Sequence, residues 1–313
     1  MKGLTDYITE CRWEDILIAT FVLVDDSYRA LPGVVIPNRK YSPQGGPLFS
    51  DSEVITIALF GEMVFAGAED KVLHFIRQYH LDLFPQLLDD SRFNRRKQRL
   101  GEAMEAIRCL LRDRWRAQHP LDPEEASLRL VDSAPISICT YTRGSRCQSI
   151  PIEWRDEWFG VCTSKKTKFF GPRCHMLTTL DQMIDAWLLA PGSFEDRKPL
   201  IPLLEDRQNL GLIGDKGYVS EDLEERLWEE GEHLLLALKR KNQTAQWPDG
   251  IQHLLGRLRH GIETAFSVLT AVFNFEQPGS RSFAGMVTRI TAKILAYTVS
   301  FFLAEMLTPV LSN

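Results

Sequence analysis

The chain has 313 residues, which is the length of about two domains. Hydrophobic residues make up 44% of it and aromatic residues 10%, so the chain can bury a substantial core and is not a disordered protein. The formal net charge of −5 excludes a uniformly basic coat for nucleic acid, although a local basic patch remains compatible with it.

The N-terminal third has the pattern of an all-helical domain. Ser50 and Glu53 are spaced as a capping box, and the apolar residues that follow predict a helix to about Phe65. The spacing of apolar residues predicts another long helix between Arg92 and Trp115. Acidic residues near the N-terminus interrupt the apolar run that a secretion signal needs, so we expect a cytoplasmic protein.

The segment between residues 91 and 118 is strongly basic. It contains nine Lys or Arg residues and three acidic residues, a net charge of +6 in a chain that is acidic overall. A patch of this kind can bind DNA phosphates by releasing condensed counterions. The candidate DNA contacts in this segment are Arg95, Arg96, Lys97 and Arg99.

A proline-bearing stretch around residues 119–123 indicates a domain boundary, so we predict a helical domain over residues 1–122. The remainder, residues 123–313, alternates short β-like runs with helical patterns, which is typical of an α/β domain with a mixed five-stranded sheet flanked by helices. The predicted strands are 128–131, 173–180, 184–189, 210–213 and 233–238, and the predicted helices are 197–205, 221–230 and 254–272.

The C-terminal run over residues 294–311 is apolar enough to raise the question of a membrane span. Lys293 and Glu305 bracket only eleven residues, which is too few to cross a bilayer. We therefore expect a buried terminal helix and no membrane contact.

Three acidic residues stand where an α/β domain could hold a metal ion. Asp132 and Asp215 follow apolar strands, and Glu263 lies on a predicted helix. Carboxylate oxygens suit Mg²⁺ or Mn²⁺. Taken singly, each acid also fits a structural role, since the two aspartates could be turn or cap residues and Glu263 could form an i,i+4 ion pair with Arg259.

The segments VDSAPI, GDKGY and RHGIETAFSVL, in this order, resemble the catalytic signatures of bacterial insertion-sequence transposases of the DDE type. The segment FSDSEVITIALFGE resembles the helical entry region of one such family. The resemblance implies a ribonuclease H-like catalytic domain in which Asp132, Asp215 and Glu263 are the catalytic metal ligands. It also implies Mg²⁺, with Mn²⁺ able to substitute, in a reaction that cleaves the element's ends and joins the freed 3′-OH to target DNA.

The resemblance further implies which partners to expect. These are double-stranded DNA, as terminal inverted repeats bound by residues 1–122 and as target DNA, and a second copy of the chain, because two ends are joined in one event. The resemblance therefore also implies a cytoplasmic protein that associates with the nucleoid. Two alternatives stay open: a related DNA nuclease without strand transfer, and a domesticated DNA-binding protein without catalysis.

Relatives of this type often carry Tyr, Arg, Glu and Lys on one face of the last catalytic helix, where this chain has Gly256, Arg259, Glu263 and Thr270. The match at Arg259 and Glu263 implies that Arg259 contacts DNA. The candidate substitutes for the missing contacts are Lys168, Lys216, Arg240 and Lys241.

Three further polar residues bear on the site. His175 and Tyr218 are expected to support it, with His175 either steadying the scissile phosphate or serving as a hydrogen-bonded structural histidine. Asp196 precedes a predicted helix and is interpreted as its cap rather than as a fourth ligand.

Overall fold

The computed structural model describes residues 11–33, 48–162, 166–239 and 246–311. The described residues form two compact units, one within Met1–Trp115 and Ala271–Asn313 and the other within Arg116–Thr270. The predicted domain boundary after residue 122 thus falls inside the second unit, and the C-terminal segment packs in the first. The functional domains stay a prediction, because a unit of packing need not coincide with a unit of function.

The first unit is helical in its described parts. Its second helix begins with the predicted capping box, since the Ser50 hydroxyl accepts a hydrogen bond from the Glu53 N–H and the Glu53 carboxylate accepts one from the Ser50 N–H. That helix ends at Phe65, as predicted. The helices are α1 Trp13–Ala30, α2 Asp51–Phe65, α3 Glu69–Tyr79, α4 Asp90–Gln98, most of α5 Gly101–Gln118, and α10 Phe283–Leu311.

The single helix predicted between Arg92 and Trp115 is wrong, because the structure has two helices there, α4 and α5. The break falls at Arg99 and Leu100, where Leu100 is fully buried. Gly101, a poor residue for a helix interior, begins α5 instead. Apolar periodicity runs through the break, which is why the sequence pattern did not reveal it.

Helix α10 is, among the described residues, the one helix long and apolar enough to cross a membrane. Within the protein, 83% of its most apolar window is buried, and it packs against α1, α2 and α4. Its charged residue Lys293 is buried, forms an ion pair with Glu62 and donates to the carbonyl of Phe273. These contacts make α10 the core helix of the first unit.

The second unit is built on a mixed five-stranded sheet with the order β5–β4–β1–β6–β7. The pairs β5–β4 and β4–β1 are antiparallel, and the pairs β1–β6 and β6–β7 are parallel. This confirms the predicted sheet and is consistent with a ribonuclease H-like architecture. The strands are β1 Leu128–Pro135, β4 Pro172–Thr178, β5 Ile184–Pro191, β6 Gly211–Ile213 and β7 Leu234–Leu235.

Helices cover the sheet on both faces. On one face, Val131 and Leu177 of the sheet join a core cluster with leucines of two helices, α7 and α8. On the other face, a longer helix, α9, packs closely on β1 at Gly261. A Cβ added to this glycine would come within 2.9 Å of the side chain of Leu130. The helices of this unit are α6 Pro123–Ala126, α7 Leu200–Leu203, α8 Glu221–Gly231 and α9 Asp249–Phe273.

A small antiparallel hairpin precedes β4 and was not predicted. It consists of β2 Phe159–Cys162 and β3 Thr167–Phe170, and 3₁₀ helices over Tyr141–Arg146 and Ile152–Trp158 precede it. Its strands are short, and Gly160 lies in one of them, so their sequence carries little alternation.

Candidate catalytic site

Two neighbouring parallel strands bring Asp132 and Asp215 to the same edge of the sheet. Asp132 lies on β1, and its Oδ1 accepts a 2.8 Å hydrogen bond from the N–H of Ser133. Asp215 follows β6, and its Oδ1 accepts a 2.7 Å hydrogen bond from the N–H of Gly217. A Cβ at residue 217 would lie 2.9 Å from that oxygen, so the turn that holds Asp215 requires glycine there.

Glu263 reaches this edge from α9, together with Arg259 one turn earlier. The Arg259 guanidinium bonds to Glu263, and its Nη1 lies 3.9 Å from Oδ2 of Asp215. The charge of Asp132 also acts on Arg259. On the other side of Glu263, its Oε2 lies 2.9 Å from Nδ1 of His260. Two of the three predicted acids, Asp215 and Glu263, therefore lie beside one cation, and the i,i+4 ion pair is present as well.

Burial, hydrogen bonds and neighbouring charges shift the pKa values of Asp132 and Glu263. Burial raises the pKa of Asp132 to about 6, outweighing the lowering by the Ser133 N–H and Arg259, and the charges of Asp215 and Asp196 add smaller increases. Burial works in the same direction on Glu263, but bonds from Arg259 and His260 lower its pKa overall. The pKa values of these two acids are therefore shifted in opposite directions.

The donor set fits a hard divalent cation in its chemistry. Its three carboxylates supply oxygen ligands, which are the ligands that such a cation prefers. Within the described ranges, no three His, Cys, Asp or Glu side chains are grouped so that they could hold a metal. Glu263 and Asp215 are instead drawn towards Arg259, the cation that the protein itself supplies.

An open groove of about 550 Å³ adjoins the acids. Gly256 lies in its lining, and a Cβ there would meet no atom within 4 Å, so the missing tyrosine of the family pattern leaves open space. Basic side chains surround this space, which suits a phosphate-bearing ligand. The lining includes Lys216, His253, Arg257, Arg259 and His260, besides Asp215 and Glu263.

The basic residues predicted to contact DNA in the first unit divide into two groups. Arg96 is held by Asp51, with a 2.7 Å contact, and donates to the carbonyl of Phe49. Lys97 is buried in an ion pair with Glu69. Both cations are therefore used inside the protein, whereas Arg95 and Arg99 are exposed on α4 and at its C-terminal cap.

The other candidate DNA contacts lie apart from one another. Lys216 is exposed beside Asp215 and lines the groove. Lys168 is exposed on β3, where its ammonium lies 5.6 Å from the centroid of the Tyr141 ring. Arg240 and Lys241 lie outside the described residues.

Behind Asp132 lies a polar group that includes the two predicted supporting residues. His175 and Tyr218 are each 1% exposed. Asp196, interpreted above as a helix cap, does not cap α7, whose N-cap is Pro199. Its Oδ1 instead accepts a 2.6 Å hydrogen bond from the Ser133 hydroxyl. No local sequence pattern indicates this contact, because the two residues are 63 positions apart.

The sheet order, the aspartates on β1 and shortly after β6, and the acid on the facing helix are consistent with a class of nucleic-acid-processing enzymes. The profile of the family described as "Transposase DDE domain" matches residues 123–283, and the chain belongs to this family. No curated protein and no solved structure matches the chain significantly. Membership implies DNA binding and an enzyme family that generally uses a divalent metal ion.

Proposed function

We propose that this protein is a DNA transposase that cleaves the ends of its insertion element and joins the freed 3′-OH to target DNA. The observation that carries the proposal is the placement of Asp132 and Asp215 on neighbouring strands, with Arg259 between Asp215 and Glu263 on the facing helix. Neighbouring carboxylates repel one another, and cations beside them relieve this repulsion. A site of this charge, next to an open groove lined by basic residues, suits the phosphodiester backbone together with metal ions.

Asp132, Asp215 and Glu263 are proposed to hold Mg²⁺, with Mn²⁺ able to replace it. When bound, such ions activate the attacking oxygen and stabilise the leaving oxygen of a phosphodiester. The Gly217 N–H and the Ser133 N–H hold the two aspartates in place for this role. Because they are backbone groups of a strand and a tight turn, they fix the carboxylates before any ligand arrives.

Arg259 is proposed to change partner when DNA binds. In the structure it neutralises Glu263 and lies close to Asp215. A DNA phosphate beside α9 would offer its guanidinium an alternative acceptor. Release of Glu263 would then give the metal its third carboxylate. Lys216 and Arg257, on the walls of the groove, would attract the same backbone.

The remaining parts of the proposal concern assembly. Residues 1–122, whose described parts are helical and include the exposed Arg95 and Arg99, are proposed to bind the terminal inverted repeats. Two ends must be processed together, so a homodimer on DNA is expected. The protein would act on DNA in the cytoplasm, associated with the nucleoid.

The test is cleavage in the presence of Mg²⁺ of a plasmid that carries the coding sequence with its native flanking DNA. We expect Asp215→Asn and Glu263→Gln to abolish cleavage, because each removes a charged ligand while keeping the shape of the side chain. Asp222→Asn is the matched control, since Asp222 is an exposed aspartate in the first turn of α8. Full cleavage by either site variant would refute the proposed function.

Strand transfer needs its own assay. A labelled duplex that ends in the flanking sequence with a free 3′-OH is incubated with supercoiled target plasmid and the wild-type protein. Label joined to the plasmid supports transposition. Cleavage without joined product would leave a nuclease in its place.

A further inference from the structure

Asp196 is tied to the strand that carries Asp132. Its Oδ1 accepts a 2.6 Å hydrogen bond from the hydroxyl of Ser133, the residue next to Asp132, and lies 4.0 Å from Nδ1 of His175. Ser133 and His175 face each other as register partners on β1 and β4. One carboxylate therefore contacts a side chain of the catalytic strand and lies near a side chain of the neighbouring strand.

This carboxylate lies on the opposite face of the sheet from the α9 acid. Successive side chains of a strand point to opposite faces, so Ser133 shares the face of Val131, whereas Asp132 shares the face of Leu130. Val131 packs in the cluster beneath α7 and α8, and Leu130 lies next to Gly261 of α9. Asp196 thus approaches Asp132 from behind, on the face away from Glu263.

Two buried polar atoms lie near Asp196. Among the described residues, Nε2 of His175 and the hydroxyl of Tyr218 have no hydrogen-bond partner, although both side chains are buried. The charge of Asp196 acts on both residues, which places its carboxylate near each of them. Buried polar groups of this kind cost stability, so a layer that keeps them indicates a purpose other than packing.

We propose that Asp196 is a positioning residue for Asp132: by holding Ser133, it fixes the peptide N–H that bonds to Oδ1 of Asp132. The inference rests on the proposed function, in which Asp132 is a metal ligand. The polar layer of Ser133, His175, Asp196 and Tyr218 supports the carboxylate from the far side of the sheet. Groups that orient a metal ligand in this way contribute to metal affinity without touching the metal.

The test is titration of the metal-free protein with Mn²⁺, followed through the paramagnetic resonance signal of free Mn²⁺. We expect Asp196→Ala and Ser133→Ala each to weaken Mn²⁺ binding by roughly 10- to 100-fold. The double variant should be no weaker than either single variant, because both changes break one linkage. Asp196→Asn should stay within a few-fold of wild type, since its amide oxygen can accept the same hydrogen bond.

Asp185→Asn is the matched control. Asp185 is a buried aspartate of β5 that pairs with Arg129 and Arg207, so its loss affects stability and leaves Mn²⁺ affinity of the folded protein unchanged. All variants are compared at a temperature where circular dichroism shows them folded. Wild-type affinity in Asp196→Ala would overturn the proposal. Asp196→Asn as weak as Asp196→Ala would also overturn it, because a ligand and not a positioning residue loses function on neutralisation.

A readout without metal separates this inference from the proposed function. In protein labelled with ¹⁵N-histidine, the ring nitrogens of His175 report on the carboxylate 4.0 Å from Nδ1. We expect Asp196→Ala to shift them and Asp185→Asn to leave them unchanged, whether or not Mn²⁺ binds. Unchanged His175 signals in Asp196→Ala would overturn the polar layer, whereas a wild-type protein that binds no Mn²⁺ and cleaves no DNA would overturn the proposed function.

Discussion

At the scale of single residues, two aspartates of the same sheet, Asp132 and Asp185, have pKa values that are shifted in opposite directions. Burial raises the pKa of Asp132 to about 6. Burial also works to raise the pKa of Asp185, but the guanidinium groups of Arg129 and Arg207 outweigh it and lower that pKa to about 2. The ionised form of Asp132 therefore opposes folding, and the ionised form of Asp185 supports it.

The opposite directions of these two pKa shifts predict a pH-dependent difference in stability between two variants of the metal-free protein. In wild type, the contribution of Asp132 to the free energy of unfolding falls as pH rises from 3.8, its ordinary pKa, to about 6, its pKa in the folded protein. The reason is that the unfolded chain releases the Asp132 proton at a lower pH than the folded chain does. Asp132→Asn should therefore raise the free energy of unfolding at pH 8, by up to roughly 3 kcal/mol, and change it little below pH 4.

Asp185→Asn should have the opposite effect. Its stabilising contribution is present above pH 3.8 and is lost only as pH falls towards 2. At pH 8 the variant should lose about 3 kcal/mol, as expected when one partner of a buried pair is removed. Urea unfolding at pH 4 and pH 8 measures both variants. Equal effects of the same sign at pH 8 would contradict the assignment.

A second residue-scale prediction concerns Arg259, which forms an ion pair with Glu263 and lies close to Asp215. Arg259→Ala should bind Mn²⁺ about tenfold more tightly, because a positive charge 3.9 Å from an acid of the site is removed. The same variant should cleave DNA more slowly, because it loses the proposed phosphate contact. Arg257→Ala, in the lining of the same groove, is the control for Mn²⁺ affinity. Weaker Mn²⁺ binding by Arg259→Ala would argue that the arginine organises the acids instead.

At the scale of elements, α4 and its C-terminal cap carry both exposed cations, which are candidates for DNA binding, and cations that hold the fold. Arg95 and Arg99 are exposed, whereas Arg96 is paired with Asp51. The double variant Arg95→Ala with Arg99→Ala should weaken binding to a duplex of random sequence and reduce the salt dependence of log affinity by about one unit per arginine. Arg96→Ala should chiefly lower stability. Fluorescence anisotropy over a salt series measures the first effect, and an unchanged slope would remove α4 from the DNA interface.

The sequence predicted the sheet well because the apolar runs that indicate its strands are also the residues that form its core. The runs before Asp132 and Asp215 are apolar, so both strands could be inferred from periodicity. The predicted end of the first strand before Asp132 is wrong, because β1 continues to Pro135 in its pairing with β4. The break between α4 and α5 could not be inferred, since the apolar spacing continues across Leu100. The role of Asp196 was missed for a different reason: its hydrogen bond to Ser133 joins distant parts of the chain and leaves no local signal.

At the scale of the whole molecule, the first unit depends on a buried ion pair between residues far apart in the chain. Lys293 of α10 pairs with Glu62 of α2, and both are buried. Lys293→Met leaves the carboxylate of Glu62 buried without its cation, which should cost about 3–5 kcal/mol of unfolding free energy.

The double variant Lys293→Met with Glu62→Met should recover most of that loss, because it removes both charges. As a control, Arg226→Ala breaks an exposed i,i+4 pair with Glu230 on α8 and should change stability by less than about 0.5 kcal/mol. Urea unfolding followed by circular dichroism distinguishes these cases. A small effect of Lys293→Met alone would mean that water reaches this pair.

The position of α10 also has a consequence during synthesis. The helices α1 and α2 leave the ribosome before the core helix against which they pack, which is translated after the whole of Arg116–Thr270. At roughly 5–20 residues per second, the N-terminal helices wait many seconds for their partner, while the second unit can already fold. A nascent or prematurely terminated chain therefore carries the β-sheet and its acids without a finished N-terminal unit. If that unit binds the DNA ends as proposed, a new molecule acquires end recognition only after the residues of the catalytic unit have been synthesised.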